Sequence, residues 1–143
     1  MLSGIAQVLK PGGVAILTTP NAEGWGAKLF GRRWINWHAP YHLQFFTIRS
    51  MQLAAEQAGL VVERAITITP SAWLHFQWIH LLTCPPEGTP SVFWAPGGHW
   101  GFMQKVVLKA LSIVHMCKIN HVLTRLFDVF GWGDNRLFFL RKP

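Results

Sequence analysis

The spacing of hydrophobic and polar residues predicts a chain in which helices alternate with short strands. Apolar positions recur at helical spacing before the Pro11-Gly12-Gly13 turn, and short β-branched runs indicate extended segments. The predicted elements are a helix at 2–9, a strand at 14–19, a helix from Thr47 or Ser50 to about Ala58 closed by Gly59, a strand at 61–69, a helix at 71–83, helical structure at 102–130 and a strand at 135–141. This order is typical of an α/β sheet with helices packed on it.

Three segments carry further expectations. The run from Val14 to Thr19 is apolar throughout, which is typical of a strand buried on both faces. Residues 22–46 are rich in Gly, Trp and Pro without a period and predict a long loop broken by helical turns. Within 102–130 the polar face rotates beyond Cys117, so we expect a bend between Cys117 and Asn120.

Composition limits the classes of function. Half of the 143 residues are hydrophobic and 13% are charged, which excludes a disordered tail. Eight tryptophans and ten phenylalanines must be covered by a core, a partner, a greasy substrate or a membrane interface. The net charge of +7 favours anionic partners, but the basic residues are scattered and form no nucleic-acid motif, so no nucleic-acid partner is expected. Cys84 and Cys117 are too few for a disulfide framework and indicate a reducing, cytoplasmic location.

A set of motifs follows one another along the chain in a characteristic order. They are Val8-Leu-Lys-Pro-Gly-Gly13 with the strand after it, Thr19-Pro-Asn21, Leu29-Phe-Gly31, Trp34, Pro40, His42, Phe46-Thr47, Ala58-Gly59-Leu60 and the last strand with its Gly131–Asp134 turn. This ordered set resembles the C-terminal part of class I S-adenosylmethionine-dependent methyltransferases, in the ubiquinone-biosynthesis-like subgroup. The resemblance is close over 1–70 and 131–143 and loose between them.

The resemblance implies an α/β fold, namely the C-terminal part of a Rossmann-like methyltransferase fold with a small mixed three-stranded sheet and flanking helices. The last strand is expected between the strands at 14–19 and 61–69. The whole of 1–143 is then a single partial domain. Its sheet-forming core is 1–70 and 131–143, and 71–130 is a helical lid or surface insertion.

The cofactor half of that family is not matched. In such folds a glycine-rich loop approaches the cofactor and an acidic residue holds the ribose hydroxyls. Gly24-Trp-Gly26 and Gly97-Gly98 do not have that setting, and no acidic residue ends a strand at a suitable spacing. We therefore expect a fragment that starts inside the helix before the fifth strand, has no cofactor-binding residues of its own and does not bind S-adenosylmethionine alone.

Pro20 and Asn21 follow the first predicted strand, at the edge where α/β proteins place ligands. The same pair is also an ordinary strand-ending turn. The resemblance implies that this turn lines the methyl-transfer pocket, and we favour a role in acceptor binding.

The loop after it concentrates further candidates. Trp34, His38, Tyr41 and Phe46 are the predicted acceptor-binding residues, and His42 is the candidate catalytic base because its ordinary pKa is near neutrality. The alternative for His42 is a structural one, in which it pins the loop by hydrogen bonds. His38 and His42 are spaced as a metal pair, but Pro40 breaks the helix and no third ligand is evident, so no metal is expected. The Arg32-Arg33 pair is read as a solvated surface.

The aromatic helices admit three interpretations: a lid over the pocket, a membrane-surface element, or a dimer contact. No run of 18 uncharged apolar residues is present, so a spanning helix is not expected. The sequence thus predicts part of an enzyme that transfers a methyl group from S-adenosylmethionine to a small, hydrophobic or lipid-like acceptor, with peripheral membrane association open. The alternative is a non-catalytic binding or membrane-surface module that retains half of the fold. Oligomeric state is not predicted.

Overall fold

The structure is a computed structural model that describes residues 1–37, 42–83 and 100–143. Its elements within those ranges are the helices α1 (Leu2–Val8), α2 (Trp25–Phe30), α3 (Ile48–Gln57), α4 (Ser71–Thr83), α5 (Phe102–Met116) and α6 (Ile119–Val129), and the strands β1 (Val14–Pro20), β2 (Val61–Thr67) and β3 (Asn135–Arg141). The predicted elements are present with ends shifted by at most two residues.

The three strands form one sheet in the order β1-β3-β2, with β3 antiparallel to both neighbours. Ile16 of β1 pairs with Phe139 of β3, and Ile66 of β2 pairs with Leu137. The predicted fold class and the central position of the last strand are therefore confirmed. A register shift between Val62 and Arg64 marks an irregularity in β2.

The hydrophobic core lies on one face of this sheet, against α1 and α3. Its buried members are Leu2, Met51, Ala55, Leu60, Phe138 and Leu140. Met51 and Ala55 are four residues apart, so they project from the same face of α3. Phe138 and Leu140 alternate with outward residues along β3, which is the strand period. The core cluster therefore combines residues at helical spacing from α3 with residues at strand spacing from β3.

The expectation that β1 is buried on both faces is wrong. Its side chains alternate between half-buried and exposed, and Ile16 is 59% exposed. Arg64 lies on this exposed face, and its guanidinium is 4.3 Å from the centre of the Phe139 ring. An apolar run cannot distinguish one covered face from two, because which face is covered depends on how many helices pack on the sheet.

The start of α3 follows the predicted capping pattern. Thr47 is the N-cap, and its hydroxyl accepts a hydrogen bond from the Ser50 backbone N–H at 3.0 Å. The Ser50 hydroxyl in turn accepts from the Thr47 backbone N–H at 2.9 Å. Beyond the helix Gly59 has φ of 72°, a conformation that favours glycine.

The bend predicted within 102–130 is confirmed. The axes of α5 and α6 differ by 61°, and the break falls at Cys117 and Lys118, where Lys118 has φ of 61°. Within the described ranges no single helix is long and apolar enough to cross a membrane, although α5 and α6 reach that length and hydropathy as a bent pair. Both helices pack on α4 and on each other.

Candidate active site

The turn that follows β1 is tied to the turn that precedes β3. Pro20 is buried and pairs with Asn135 across the sheet. Asn21 is fully buried, its side-chain amide donates to the Gly133 carbonyl at 2.8 Å, and its Oδ1 accepts from the Glu23 backbone N–H at 3.2 Å. The Asn21 side chain is therefore engaged in holding two turns together. A contact of Pro20 or Asn21 with an acceptor stays a prediction.

Glycines allow a close approach at the start of α2. A Cβ added to Gly24 would lie 2.6 Å from the Gly133 carbonyl oxygen, and one added to Gly26 would overlap the Asp134 carboxylate. The Gly26 backbone N–H donates to Asp134 Oδ1 at 2.9 Å, and the Trp34 indole N–H donates to Oδ2 at 3.3 Å. The Gly24-Trp-Gly26 segment thus cradles a carboxylate of this same chain.

Among the residues of this site, Asp134 has the pKa that differs most clearly from its ordinary value. It is 3% exposed, and burial raises its pKa to about 6. The negative charge of Asp128 raises the pKa further, whereas the hydrogen bonds from Trp34 and Gly26 oppose the rise. Such a buried group orients the turns around it and has no access for a substrate atom.

Sequence reasoning treated Gly131–Asp134 as a turn and missed Asp134 as a functional candidate. The available signal was the recurrence of Gly-Trp-Gly in two places, at 24–26 and 131–133, with an acidic residue directly after the second. Paired glycine segments indicate backbones that approach closely. The sequence alone does not say that these two segments approach each other.

A second carboxylate joins α6 to the end of β2. Asp128 accepts hydrogen bonds from both the backbone N–H and the hydroxyl of Thr69, each at 2.9 Å, and forms an ion pair with Arg125 at 2.7 Å. The Thr69 hydroxyl also accepts from the Asp134 backbone N–H at 2.8 Å. Thr69 therefore links the helical part of the chain to the turn before β3.

An apolar cavity of about 550 Å³ lies beside these turns. Its lining, among the described residues, is Trp25, Lys28, Leu29, Phe127 and Trp132. Its volume falls in the range of small-molecule sites, and its character matches theirs: mostly apolar, with few polar groups. Lys28 supplies the one cation of that lining.

The cavity wall is ordered by aromatic packing. The rings of Trp25 and Phe127 stack with centroids 4.5 Å apart, and Phe30 meets Trp25 edge-on at 5.5 Å. The backbone N–H of Trp25 donates to the Trp132 carbonyl at 2.8 Å, which brings the two tryptophans to the same wall. The buried indole N–H of Trp25 has no hydrogen-bond partner within the described ranges.

The aromatic loop forms a neighbouring cluster. Trp34 is 1% exposed and meets the Trp37 ring edge-on at 5.1 Å, and the Phe45 ring lies 4.7 Å from that of Trp37. His42 is half-buried with its ring 6.4 Å from Phe45. Trp34 and His42 are not among the described residues that line the cavity.

The remaining predicted acceptor residues have different positions. Phe46 is partly buried and packs against the core cluster, and its predicted role in acceptor binding stays a prediction. His38 and Tyr41 lie outside the described residues, so their predicted roles stay predictions. Arg32 and Arg33 are exposed, as expected for a solvated pair, and the Arg33 carbonyl accepts from the Gln77 side chain at 3.0 Å.

No group of three or more His, Cys, Asp or Glu side chains within 1–37, 42–83 and 100–143 could hold a metal ion.

Comparison with known proteins adds one finding. No curated protein matches the chain. The model of a protein family described as a methyltransferase domain matches residues 1–65, which contain α1, β1, α2, α3 and most of β2. Residues 1–65 are therefore similar to part of a methyltransferase domain.

Proposed function

We propose that the chain is the acceptor-binding part of an S-adenosylmethionine-dependent methyltransferase that acts on a small hydrophobic molecule. The observation that carries the proposal is the position of the apolar cavity. It lies beside the turn after β1, and β1 belongs to the segment that matches a methyltransferase domain. Ligands of open α/β sheets bind beyond the carboxyl ends of strands, which is where this cavity lies.

The lining supports a particular kind of acceptor. Trp25, Leu29, Phe127 and Trp132 offer aromatic and aliphatic surface to a flat or chain-like apolar body. Lys28 offers a charged donor to an oxygen-bearing group. We infer an acceptor that combines an apolar body with a hydroxyl, carbonyl or acidic group.

The described residues do not fit the cofactor. The space beside the glycines that follow β1 is occupied by Gly133 and Asp134, so a ligand cannot approach the backbone of these glycines. The nearby carboxylates are also engaged, because Glu23 pairs with Arg136 at 2.9 Å and Asp128 pairs with Arg125. We propose that the cofactor is held by polypeptide other than the described residues.

The exposed face and edge of the sheet support the proposal that other polypeptide holds the cofactor. Ile16 and its neighbours leave one face of the sheet exposed, and β1 is bonded to β3 on one side only within the described chain. An intact methyltransferase fold would cover that face with helices and pair that edge with a further strand, since sheets of this type are covered on both faces. The finer identity as a C-terminal fragment of the ubiquinone-biosynthesis-like subgroup rests on the motif order and remains part of the proposal.

His42 remains the candidate base. Methyl transfer to a hydroxyl or amine requires an aligned acceptor and a group that takes its proton. His42 is half-buried in the loop that leads into α3, so part of its ring meets solvent. Because His42 is not among the described residues that line the cavity, this role requires an acceptor that extends from the cavity to that loop. A merely structural His42 would affect folding and leave acceptor turnover intact.

The test uses the protein in the form that the cell makes. A tag placed after Pro143 at the chromosomal locus recovers the native polypeptide with whatever it is joined or bound to. The purified material is incubated with tritiated S-adenosylmethionine and an organic extract of the same cells. We expect radioactivity to enter the organic phase, and we expect the His42→Gln variant to lose most of it while remaining folded. Folded material that transfers no methyl group would refute the proposal.

Two further variants separate the cavity from the rest of the molecule. Leu29→Ala enlarges the cavity at an exposed side chain, whereas Leu43→Ala changes an equally exposed leucine outside the described lining. We expect Leu29→Ala to raise KM for the acceptor and Leu43→Ala to leave it unchanged. Equal KM values for both variants would place the acceptor elsewhere. Lipid association without methyl transfer would favour the alternative of a non-catalytic module.

A further inference from the structure

The helices α5 and α6 use their inward faces to pack on α4. The ring of His115 in α5 stacks on the ring of His75 in α4 with centroids 4.7 Å apart. The Asn120 Oδ1 in α6 accepts a hydrogen bond from the Trp78 indole N–H of α4 at 3.3 Å, and Thr124 one turn later is fully buried. The opposite faces of both helices therefore point away from α4.

Those outward faces are apolar. At roughly 100° per residue, one stripe of α5 and one stripe of α6 consist mainly of large hydrophobic side chains, with Lys109 among those of α5. The members of this surface, which we name the outer stripe, are Phe102, Val106, Ile113 and Met116 in α5 and Ile119, Val122, Leu126 and Val129 in α6. Their exposed fractions run from 47% to 80%. Exposed apolar surface of this extent marks an interaction site.

Basic residues lie within and beside the outer stripe. Along α5, Lys109 falls among the stripe residues and Lys105 lies at the edge of the stripe, and Lys118 occupies the corner between the two helices. Asp128 is the one acidic residue in the sequence from 100 to 131. Its carboxylate points inward to Thr69 and Arg125, so it does not offset the charge at the surface.

We propose that the outer stripe docks onto an anionic membrane surface, with α5 and α6 lying in the plane of the interface. A helix of this kind buries its apolar side chains among acyl chains, while the long side chains of lysines within and beside the apolar face extend to the head groups. The distribution of charge favours an anionic membrane over a second copy of the chain as the partner of the outer stripe. Two outer stripes placed face to face would bring Lys105 and Lys109 of one copy close to the lysines of the other, with no acid to compensate.

This assignment does not depend on methyl transfer. It concerns α5 and α6, which lie outside the segment matched to the methyltransferase domain. Vesicle binding and methyl transfer can therefore fail independently. If both hold, the membrane would deliver a hydrophobic acceptor near the cavity, because Phe127 of α6 lines it.

The experiment is cell-free translation of the full chain with vesicles, followed by flotation on a density gradient. Vesicles of phosphatidylcholine alone are compared with vesicles that also contain phosphatidylglycerol. Bound chain floats and aggregated chain sediments, so poor solubility cannot imitate binding. We expect flotation with the anionic vesicles and its reversal by high salt, since screening weakens attraction between surface charges.

Variants assign the binding to the outer stripe. Removing one lysine that lies near an anionic surface weakens binding about fivefold, so Lys105→Ala with Lys109→Ala should abolish most flotation. Phe102→Ser with Val122→Ser should do the same through the apolar part. The matched control is Leu43→Ser with Leu53→Ser, which changes two exposed leucines away from α5 and α6 and should leave flotation intact.

A label reports the contact directly. Cys117 is an exposed free thiol at the bend between the helices. With Cys84→Ser in place, a polarity-sensitive fluorophore on Cys117 should shift to shorter wavelength when anionic vesicles are added. Equal flotation with neutral and anionic vesicles, or none with either, would overturn the proposal. A wavelength shift that depends on protein concentration without lipid would instead assign the outer stripe to a second copy.

Discussion

The backbone N–H of Gly26 donates a hydrogen bond of 2.9 Å to Oδ1 of Asp134, which is 108 positions further along the chain. This bond joins the start of α2 to the turn before β3. Trp34 donates to the other oxygen of the same carboxylate at 3.3 Å. One buried side chain therefore holds the start of α2 and the segment of Trp34 against the turn before β3, and its environment is the source of two predictions.

The first prediction concerns the space at Gly26. Gly26→Ala would place a Cβ on the Asp134 carboxylate, and relief requires a shift of α2 or of the turn before β3. Overpacking of this kind typically costs about 1–3 kcal/mol. We expect a fall of that size in the free energy of unfolding, measured by urea denaturation followed by tryptophan fluorescence.

The matched control is Gly4→Ala in α1. No atom lies within 4 Å of a Cβ added there, so the substitution should be neutral or stabilise the helix by about 0.5–1 kcal/mol. If Gly26→Ala is as stable as Gly4→Ala, the close approach of Gly26 and Asp134 is wrong.

The second prediction concerns the pKa of Asp134. In the folded chain the pKa is about 6, above the ordinary value of 3.8, because burial disfavours the charge. Between these values the folded chain keeps the proton that the unfolded chain has released. The free energy of unfolding should therefore fall as the pH rises from about 4 to about 6, by an amount on the order of 3 kcal/mol.

Asp134→Asn removes this titration and should flatten the profile in that range. Glu56→Gln changes a glutamate on the exposed side of α3 and should preserve the fall. An unchanged slope in Asp134→Asn would mean that the carboxylate is solvated, contrary to its position between Gly26 and Trp34.

The third prediction concerns His75 at the α4–α5 contact. Burial lowers its pKa, and the neighbouring His115 lowers it further. Below pH 6.5 the unfolded chain accepts the proton more readily than the folded chain does, so stability should fall as the pH decreases through that point. The buried Nδ1 of His75 has no hydrogen-bond partner within the described ranges, which removes one means of stabilising the cation.

His75→Gln should reduce this loss, measured by the helical circular dichroism signal from pH 7.5 downward. His121→Gln, on the exposed side of α6, serves as the control and should retain the loss. Identical profiles for the two variants would exclude the His75–His115 contact as the origin of the acid sensitivity.

The fourth prediction concerns the open face and edge of the sheet. Long apolar edges and faces without cover promote association between chains. We expect the chain expressed alone to be poorly soluble, and we expect Ile16→Glu to increase its soluble fraction because Ile16 is largely exposed. The introduced carboxylate also lies on the face that carries Arg64.

Leu43→Glu adds the same charge at an exposed leucine away from the sheet and should have a smaller effect. Light scattering of both variants and of the unmodified chain gives the comparison. A stable monomer of the unmodified chain would contradict the prediction.

Local patterns in the sequence predicted most elements correctly because their causes are local. Thr47 and Ser50 cap α3 through backbone groups three residues away, and the break at Cys117 and Lys118 follows from a polar face that changes direction. The position of β3 between β1 and β2 was predicted from a resemblance and not from any pattern within the strand itself.

The tertiary structure decided the features that depend on distant partners. The covered face of β1 is set by where α1 and α3 pack, so an apolar run could not reveal that Ile16 would be exposed. The pKa of Asp134 and the space at Gly26 arise from segments more than 100 positions apart. The sequence by itself determined helices, strands, caps and the bend, since these depend on neighbours along the chain. Only the folded chain brings Trp25, Phe127 and Trp132 to one cavity wall, because Trp25 reaches the other two through a ring stack and a backbone hydrogen bond between segments far apart in sequence.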